Sequence, residues 1–361
     1  MDFHPTEEQS AAQELAAQIF GDLSTPERLA AGGAGTDAEL WKALCGAGLS
    51  GAVEDIGLLG LVLLLEEQGR TTAQVPFAAN AVYGILAVGA HGTAEQRERL
   101  LPGFLDGTAV AAGALPARAS VQVERDGSGG QLAADAGVDS RARLTGAVPW
   151  VPWLRDATHV LVAAADHSLW MVRAADARIE PVELTAPWSG GRLVLDAVPG
   201  ELLGAPDSSA AYDSVLADAR TAFAGLQAGV CAGSLARAVE YTSTREQFGK
   251  PLAAKQAVLL RAADAYMDTE AIRVTAYEAA WRRDEGLGHR GAALTAAWWA
   301  SEAGKRVVHA GQHLHGGMGA DLDHPVHRHF LWGRQLDAYL GCGAEVLAEL
   351  GQLIAKEGEL V

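Results

Sequence analysis

Arg245-Glu246-Gln247-Phe248-Gly249-Lys250-Pro251-Leu252, followed by Gln256, interrupts a long helical pattern and decides how this chain is read. Upstream, Thr221 to Ser243 has helical spacing; Gly249 and Pro251 would stop that helix, and Gln256 would open the next. Standing alone, the segment reads first as a helix–helix connection with a solvated Arg and an anchoring Phe. A second stretch, His313-Leu314-His315-Gly316-Gly317-Met318-Gly319, has the same double reading. Clustered glycines permit a backbone to approach a ligand closely, and they also mark an ordinary tight turn.

Working outward, helical periodicity resumes after about Ser208 and persists in four or five long amphipathic helices. At the other end, Thr6-Glu7-Glu8 offers a capping start, and Ala12, Leu15, Ala16 and Phe20 follow at helical spacing. Leu40–Leu49 reads as a short helix, Ile56–Glu67 as a buried helix apolar nearly all round, and Ala78–Ala90 as another. Thr93-Ala94-Glu95-Gln96 begins one more. Between these helical ends, Val110–Leu115, Ser120–Glu124, Arg141–Leu144, Ala157–Ala164, Leu169–Val172 and Arg192–Leu195 are short β-type runs separated by turn residues. The expectation is an α+β protein: a helical domain over 1–107, a β-barrel or sandwich over 108–205, and a helical bundle over 206–361.

Composition bounds the function. A chain of 361 residues, 49% hydrophobic and 20% charged, buries a large core. Its net charge of −17 argues against nucleic acid or an anionic membrane as the main partner, while a local Arg or Lys cluster could still hold a phosphate. Cys45, Cys231 and Cys342 show no paired or metal-type spacing and read as packing thiols in a reducing compartment. The opening lacks a charged segment followed by an apolar one, and the longest apolar run, Ile56–Leu65, is too short to span a bilayer. A cytoplasmic protein is expected. His324 and His327, at i and i+3, raise the question of metal, but no acidic or Cys ligands accompany them in a recognisable pattern, so no metal is expected.

Taken together, Tyr241, Arg245, Phe248-Gly249, Gln256 and His315-Gly316-Gly317-Met318-Gly319 resemble the C-terminal signature of the acyl-CoA dehydrogenase flavoproteins in type, order and spacing. Supporting matches include Asp2-Phe3, Leu40-Trp41, Glu66-Glu67-Gln68-Gly69-Arg70, Leu101-Pro102 and Gly146 with Trp150-Val151. The resemblance implies FAD held across a subunit interface and an acyl-CoA substrate, with an electron-transfer flavoprotein-type acceptor. Arg245, Gln247, Phe248, Gln256, His313, Gly316 and Gly317 are the implied cofactor contacts. A guanidinium can bridge two phosphate oxygens, and backbone N–H groups at glycines can complete an anion nest. Arg220 stands where the family uses an Arg near substrate; a helix-cap role is equally open.

What the chain lacks is as telling. The family's reaction needs an ionised carboxylate to remove the α-proton. Its two known positions fall on Leu340, before Gly341-Cys342, and on Ala219, before Arg220. Neither side chain takes a proton. Asp218 is adjacent, but one helical step turns a side chain by about 100°, and it reads as a helix N-terminal acid. Asp337 and Glu345 read as solvated. The turns that would serve the flavin ring have become Leu115-Pro116-Ala117 and Trp150-Val151-Pro152, and Pro152 has neither a hydroxyl nor a backbone N–H. Trp150 and Trp153 read as ring-stacking remnants or as core.

Asp323-His324-Pro325-Val326-His327-Arg328-His329-Phe330-Leu331-Trp332 is similar to a subgroup of the family, from steroid-degrading bacteria, that forms α2β2 heterotetramers of two different chains. The resemblance therefore implies a subunit without its own base, working with a homologous partner on a bulky, steroid side-chain-type acyl-CoA. Two alternatives stay open here: a self-sufficient homo-oligomeric dehydrogenase using Asp218, and a scaffold subunit that binds no flavin.

Overall fold

The computed structural model describes residues 3–117, 121–125, 141–206 and 208–358. Asp2 and Ser120 of the sequence reading lie outside them. The first helices are α1 (Glu7–Leu23), α2 (Pro26–Ala31), α3 (Ala38–Gly46) and α4 (Val53–Thr71). Thr6 caps α1 reciprocally with Gln9, and Thr93 caps α7 (Ala94–Asp106) in the same way with Gln96, so each start satisfies two helix-end N–H donors. Between α4 and α7, α5 (Phe77–Ala79), a π-helical segment (Asn80–Leu86) and α6 (Ala87–His91) run on continuously. Asn80 is fully buried there, yet its amide donates to the Phe104 carbonyl (2.9 Å) and accepts from the Ala111 N–H (3.0 Å), anchoring the first strand.

The strands form one sheet in the order β1 (Ala111–Ala114), β4 (His159–Ala163), β5 (Leu169–Arg173), β7 (Gly191–Leu203), β3 (Arg141–Val151), β2 (Gln122–Arg125). A short strand not foreseen from the sequence, β6 (Arg178–Pro181), pairs with the first half of β7, and β5 pairs with its second half. Between those halves Ala197 has φ +50°, and the β3–β7 register shifts between Leu144 and Gly146. A bulge of this kind bends the ribbon, so one long strand serves two differently flanked parts of the sheet. Leu144, Val160, Val162, Trp170, Val172, Leu193 and Leu195 fill its core.

Five helices close the chain: α8 (Ala210–Thr244), α9 (Gln256–Asp284), α10 (Arg290–Leu314), α11 (Val326–Tyr339) and α12 (Gly343–Glu357). The two-residue strands β8 (Glu246–Gln247) and β9 (Lys250–Pro251) form a separate hairpin between α8 and α9. α8 begins at Ala210, well before Thr221. It is long and apolar enough to cross a membrane, but 72% of its most apolar window is buried inside the protein. The chain packs as two compact units, one of Met1–Gly33, Asp55–Gln74 and Ala217–Val361, the other of Ala34–Glu54 and Val75–Leu216.

Within the first unit, glycines set the distance between α4 and α8. A Cβ on Gly225, Gly229 or Gly233 would meet Val62 Cγ1 at 2.8 Å, the Glu66 carbonyl at 2.1 Å or the Arg70 carbonyl at 2.3 Å. These partners recur every four residues on both helices, so one ridge of α8 lies against one ridge of α4. Gly69 of Glu66-Glu67-Gln68-Gly69-Arg70 closes the same contact, its absent Cβ being 2.2 Å from the Leu226 carbonyl. On the outer side of α9, Leu259, Leu260, Tyr266, Met267 and Val274 stay exposed.

Candidate functional site

The β8–β9 hairpin turns on Phe248 (φ +58°) and Gly249 (φ +77°). Two left-handed residues are what a two-residue hairpin of this hand requires. Glycine adopts that conformation freely, whereas phenylalanine there costs about 1–2 kcal/mol. Packing does not offset the cost, because Phe248 is 91% exposed. Lys255 Nζ lies over its ring, 4.9 Å from the centroid. A strained aromatic held out from the surface is a candidate for contact with something outside the chain.

Around that tip cationic side chains outnumber the one acid of the hairpin, the exposed Glu246. Arg245, Lys250 and Gln247 are exposed, and Lys255 precedes Gln256, the exposed first residue of α9. Backbone bonds hold the hairpin to the end of α8: Arg245 N–H donates to the Tyr241 carbonyl and Leu252 N–H to the Arg245 carbonyl, each at 2.9 Å. Arg245 is thus fixed at its backbone, and among the described residues its exposed guanidinium has no ion-pair partner.

The second motif caps α10. His313 is exposed in its last turn, and Gly316–Ala320 forms a 3₁₀ turn. Gly316 has φ +62°; both it and Gly317 are exposed, with nothing within 4 Å of where a Cβ would stand. Gly319 is the glycine that packing demands, since a Cβ there would lie 2.1 Å from the Gln312 carbonyl. Gln312 Nε2 donates back to the Gly319 carbonyl (2.9 Å), tying the turn to its helix. Open glycines and exposed cations are groups that suit a phosphate-bearing ligand, and an exposed Phe ring suits its flat apolar portion.

The fold brings these two motifs together through rings. Tyr241, one helical turn before Arg245, stacks on His315, immediately before Gly316, with centroids 4.9 Å apart and planes at 20°. His324 lies on His315 as well, at 4.9 Å and 58°. Both Tyr241 and His315 were motif members in the sequence, but no spacing there signals that they touch.

The other histidines of the C-terminal run bond to backbone. His324 Nδ1 accepts from the Val326 N–H (3.3 Å), His327 Nδ1 donates to the His324 carbonyl (2.6 Å), and His329 Nε2 donates to the Arg70 carbonyl (3.0 Å). Burial pulls His329 down to about 4. It lowers His324 too, helped by His315 and Arg237. Among the described residues no three His, Cys, Asp or Glu side chains converge to hold a metal.

The positions expected to carry a base form a buried corner. Ala219 lies within α8, fully buried, and Leu340 at the end of α11 is 6% exposed. Arg220, also 6% exposed, lies well inside α8 and so is no helix cap. Its Nη1 and Nη2 donate to the two carboxylate oxygens of Glu349 on α12 at 3.0 and 2.7 Å, and Nη2 reaches the Leu340 carbonyl at 3.5 Å. Burial alone would raise Glu349, but Arg220 and Arg290 outweigh it and hold the carboxyl below its ordinary range. Phe223 packs edge-on to Tyr339, 4.9 Å away, beside this corner.

Three neighbouring readings change. Asp218 is a buried interior residue of α8, lying 3.1 Å from His289 Nε2 and 3.4 Å from Arg283 Nη2, and is no helix N-terminal acid. Asp337 is buried against Ser301 and Arg334, whereas Glu345 is exposed and caps α12. Cys342 is exposed at that cap; Cys231 alone of the three thiols is fully buried.

In the sheet-bearing unit, Pro152 and Trp153 (φ +61°) follow β3 and are buried. Trp153 stacks on Trp188 at 5.8 Å and 25°, which makes it a core residue. Trp150 is half-buried. After β1, the Ala117 N–H donates to the Tyr212 hydroxyl at 3.3 Å.

Two family models match the chain: the acyl-CoA dehydrogenase N-terminal domain over residues 6–108 and the acyl-CoA dehydrogenase C-terminal domain over residues 210–350. The acyl-CoA dehydrogenase FadE27 of Mycobacterium tuberculosis is 33% identical, with 99% of each chain covered. Among solved structures, a chain of the Tcur3481-Tcur3483 steroid ACAD is 41% identical at a TM-score of 0.89, covering 97% of this chain and 98% of that one. A chain of the ChsE4-ChsE5 complex from Mycobacterium tuberculosis is 30% identical at the same TM-score, with 99% and 100% covered.

Proposed function

Because this chain belongs to the acyl-CoA dehydrogenase family, flavoprotein oxidoreductases acting on CH–CH bonds, we propose that it is the base-lacking subunit of a heteromeric FAD-dependent acyl-CoA dehydrogenase. The observation that carries this reading is the contrast between its two candidate regions. The face expected to reach a neighbour's cofactor is exposed, cationic and held in a strained conformation. The corner expected to hold a base is buried, apolar at Ala219 and Leu340, and has its charges paired.

FAD supplies the hydride acceptor for α,β-dehydrogenation of the acyl-CoA. This chain's part is recognition: Arg245 bridges phosphate oxygens, the Gly316 and Gly317 N–H groups add donors, Phe248 covers a flat apolar surface, and Gln247, Gln256 and His313 line the approach. The partner, a homologous subunit, supplies the carboxylate that takes the α-proton. The exposed apolar side of α9 supports assembly with another chain, since so much apolar surface is costly to leave in water. The similarity to a steroid ACAD and to complexes of two named components supports an α2β2 partner and a bulky, steroid side-chain-type thioester. Arg220 would approach that substrate only by leaving Glu349. Asp218 makes a poor stand-in for the base, because its carboxylate is already held by His289 and Arg283.

Expression alone and together with a homologous dehydrogenase subunit tests the proposal. Flavin retained only on co-expression, at half a flavin per chain, with activity abolished by removing the partner's base, is the expected result. A yellow protein that reduces its flavin with acyl-CoA when purified alone would sink it.

A further inference from the structure

His315 is 2% exposed and held from three sides. Its Nδ1 donates to the Gly311 carbonyl at 2.7 Å, which fixes the ring to α10. Tyr241 covers one side of the ring in near-parallel stacking, and His324 leans on it at 58°. Tyr241 in turn accepts the Arg245 N–H at its carbonyl, so ring and hairpin share one backbone turn. On the other side of the contact, Gly316 follows His315 directly and its turn is tied back by Gln312. Two exposed features, the Arg245–Phe248 hairpin and the open Gly316–Gly317 turn, thus have an aromatic contact between their roots, made by the half-buried Tyr241 and the buried His315.

We propose that the Tyr241–His315 stack is the joint that sets this hairpin and this turn at the spacing needed to grip one phosphate-bearing ligand together. Tyr241 and His315 are then positioning residues: neither touches the ligand, and both decide where Arg245 and the glycine N–H groups stand. The inference rests on reading that face as the arm that holds FAD. Preorganisation is the physical reason for such a joint, because two arms that wander independently lose affinity to ordering on every binding event.

The test uses the co-expressed complex, stripped of flavin and titrated with FAD, with the melting temperature of the flavin-free form measured in parallel. Tyr241→Ala and His315→Ala are each expected to weaken FAD binding about fivefold to tenfold, the scale of one aromatic pair. The double variant should fall no further than the worse single one, because both changes break one contact. Tyr241→Phe, which keeps the ring, should bind within about twofold of wild type. Alanine variants that bind FAD like wild type while Arg245→Ala loses it would overturn the joint and leave the FAD arm standing. Unchanged binding in Arg245→Ala would instead overturn the underlying reading. A lower melting temperature with an unchanged dissociation constant for the folded fraction would make the stack merely structural, and an equal loss in Tyr241→Phe would move the role to the hydroxyl. Both results count against the proposal.

Discussion

The hairpin after α8 and the corner around Leu340 spend charge and strain in opposite ways. At the hairpin, Arg245 and Lys250 are exposed and a phenylalanine sits in a conformation that favours glycine. At the corner, Arg220 is bound through both terminal nitrogens by the chain's own Glu349, and the two key positions are aliphatic. The first region turns its charged side chains to solvent, whereas the second pairs its arginine with a carboxylate of the same chain. A chain that must do chemistry alone would need the reverse at the corner: a free carboxylate beside a free arginine.

The largest effect expected from breaking that contrast is at the corner. Glu349→Ala leaves Arg220 buried and unpaired, and should destabilise the subunit by about 3 kcal/mol in denaturant unfolding. Flavin content per folded complex should be unchanged; a loss of flavin without a loss of stability would put Glu349 in the cofactor's reach. Next comes Arg245→Ala, which removes a charge-assisted bidentate contact worth about 2–3 kcal/mol, or roughly thirty- to hundredfold in FAD affinity of the complex. The stability of the isolated subunit should hardly move, since the side chain is exposed.

Acid should act at a third place, inside α11. His329 is held neutral in the folded state by burial, at about 4 against an ordinary 6.5. The unfolded chain therefore binds the proton first, and stability should fall as pH drops from about 6.5 to about 4, then level off for this group. His329→Gln should flatten that part of the stability profile measured by unfolding at several pH values; a profile that keeps its slope would assign the effect elsewhere. The smallest change is Phe248→Gly. Relief of the left-handed strain should stabilise the isolated subunit by about 1 kcal/mol, while FAD binding by the complex weakens. Stabilisation with no loss of binding would remove Phe248 from the site.

Much of the architecture was legible in the sequence because it is written in local terms. The capping pairs Thr6/Gln9 and Thr93/Gln96 and the apolar α4 have signatures within a few residues. β6 was missed because Arg178-Ile179-Glu180-Pro181 is short and has no buried residue, with no apolar alternation to betray it. Asp218 was misjudged for a related reason: with the start of α8 placed too late, an interior residue looked like a helix end. Of the candidate site, residue identities were readable, down to the side chains at Ala219, Leu340 and Pro152. Their surroundings were not.

Sequence alone thus determined which chemistry the side chains can and cannot perform, since an alanine or a leucine takes no proton in any fold. It also determined the order of helices and strands, because periodicity and caps act over a few residues. Tertiary structure decided the rest: that Arg220 belongs to Glu349, that Trp153 is core, that glycines on α8 admit α4, and that Tyr241 meets His315. Those contacts join residues far apart in the chain, and such pairings depend on how packed surfaces close on one another, which no local pattern encodes.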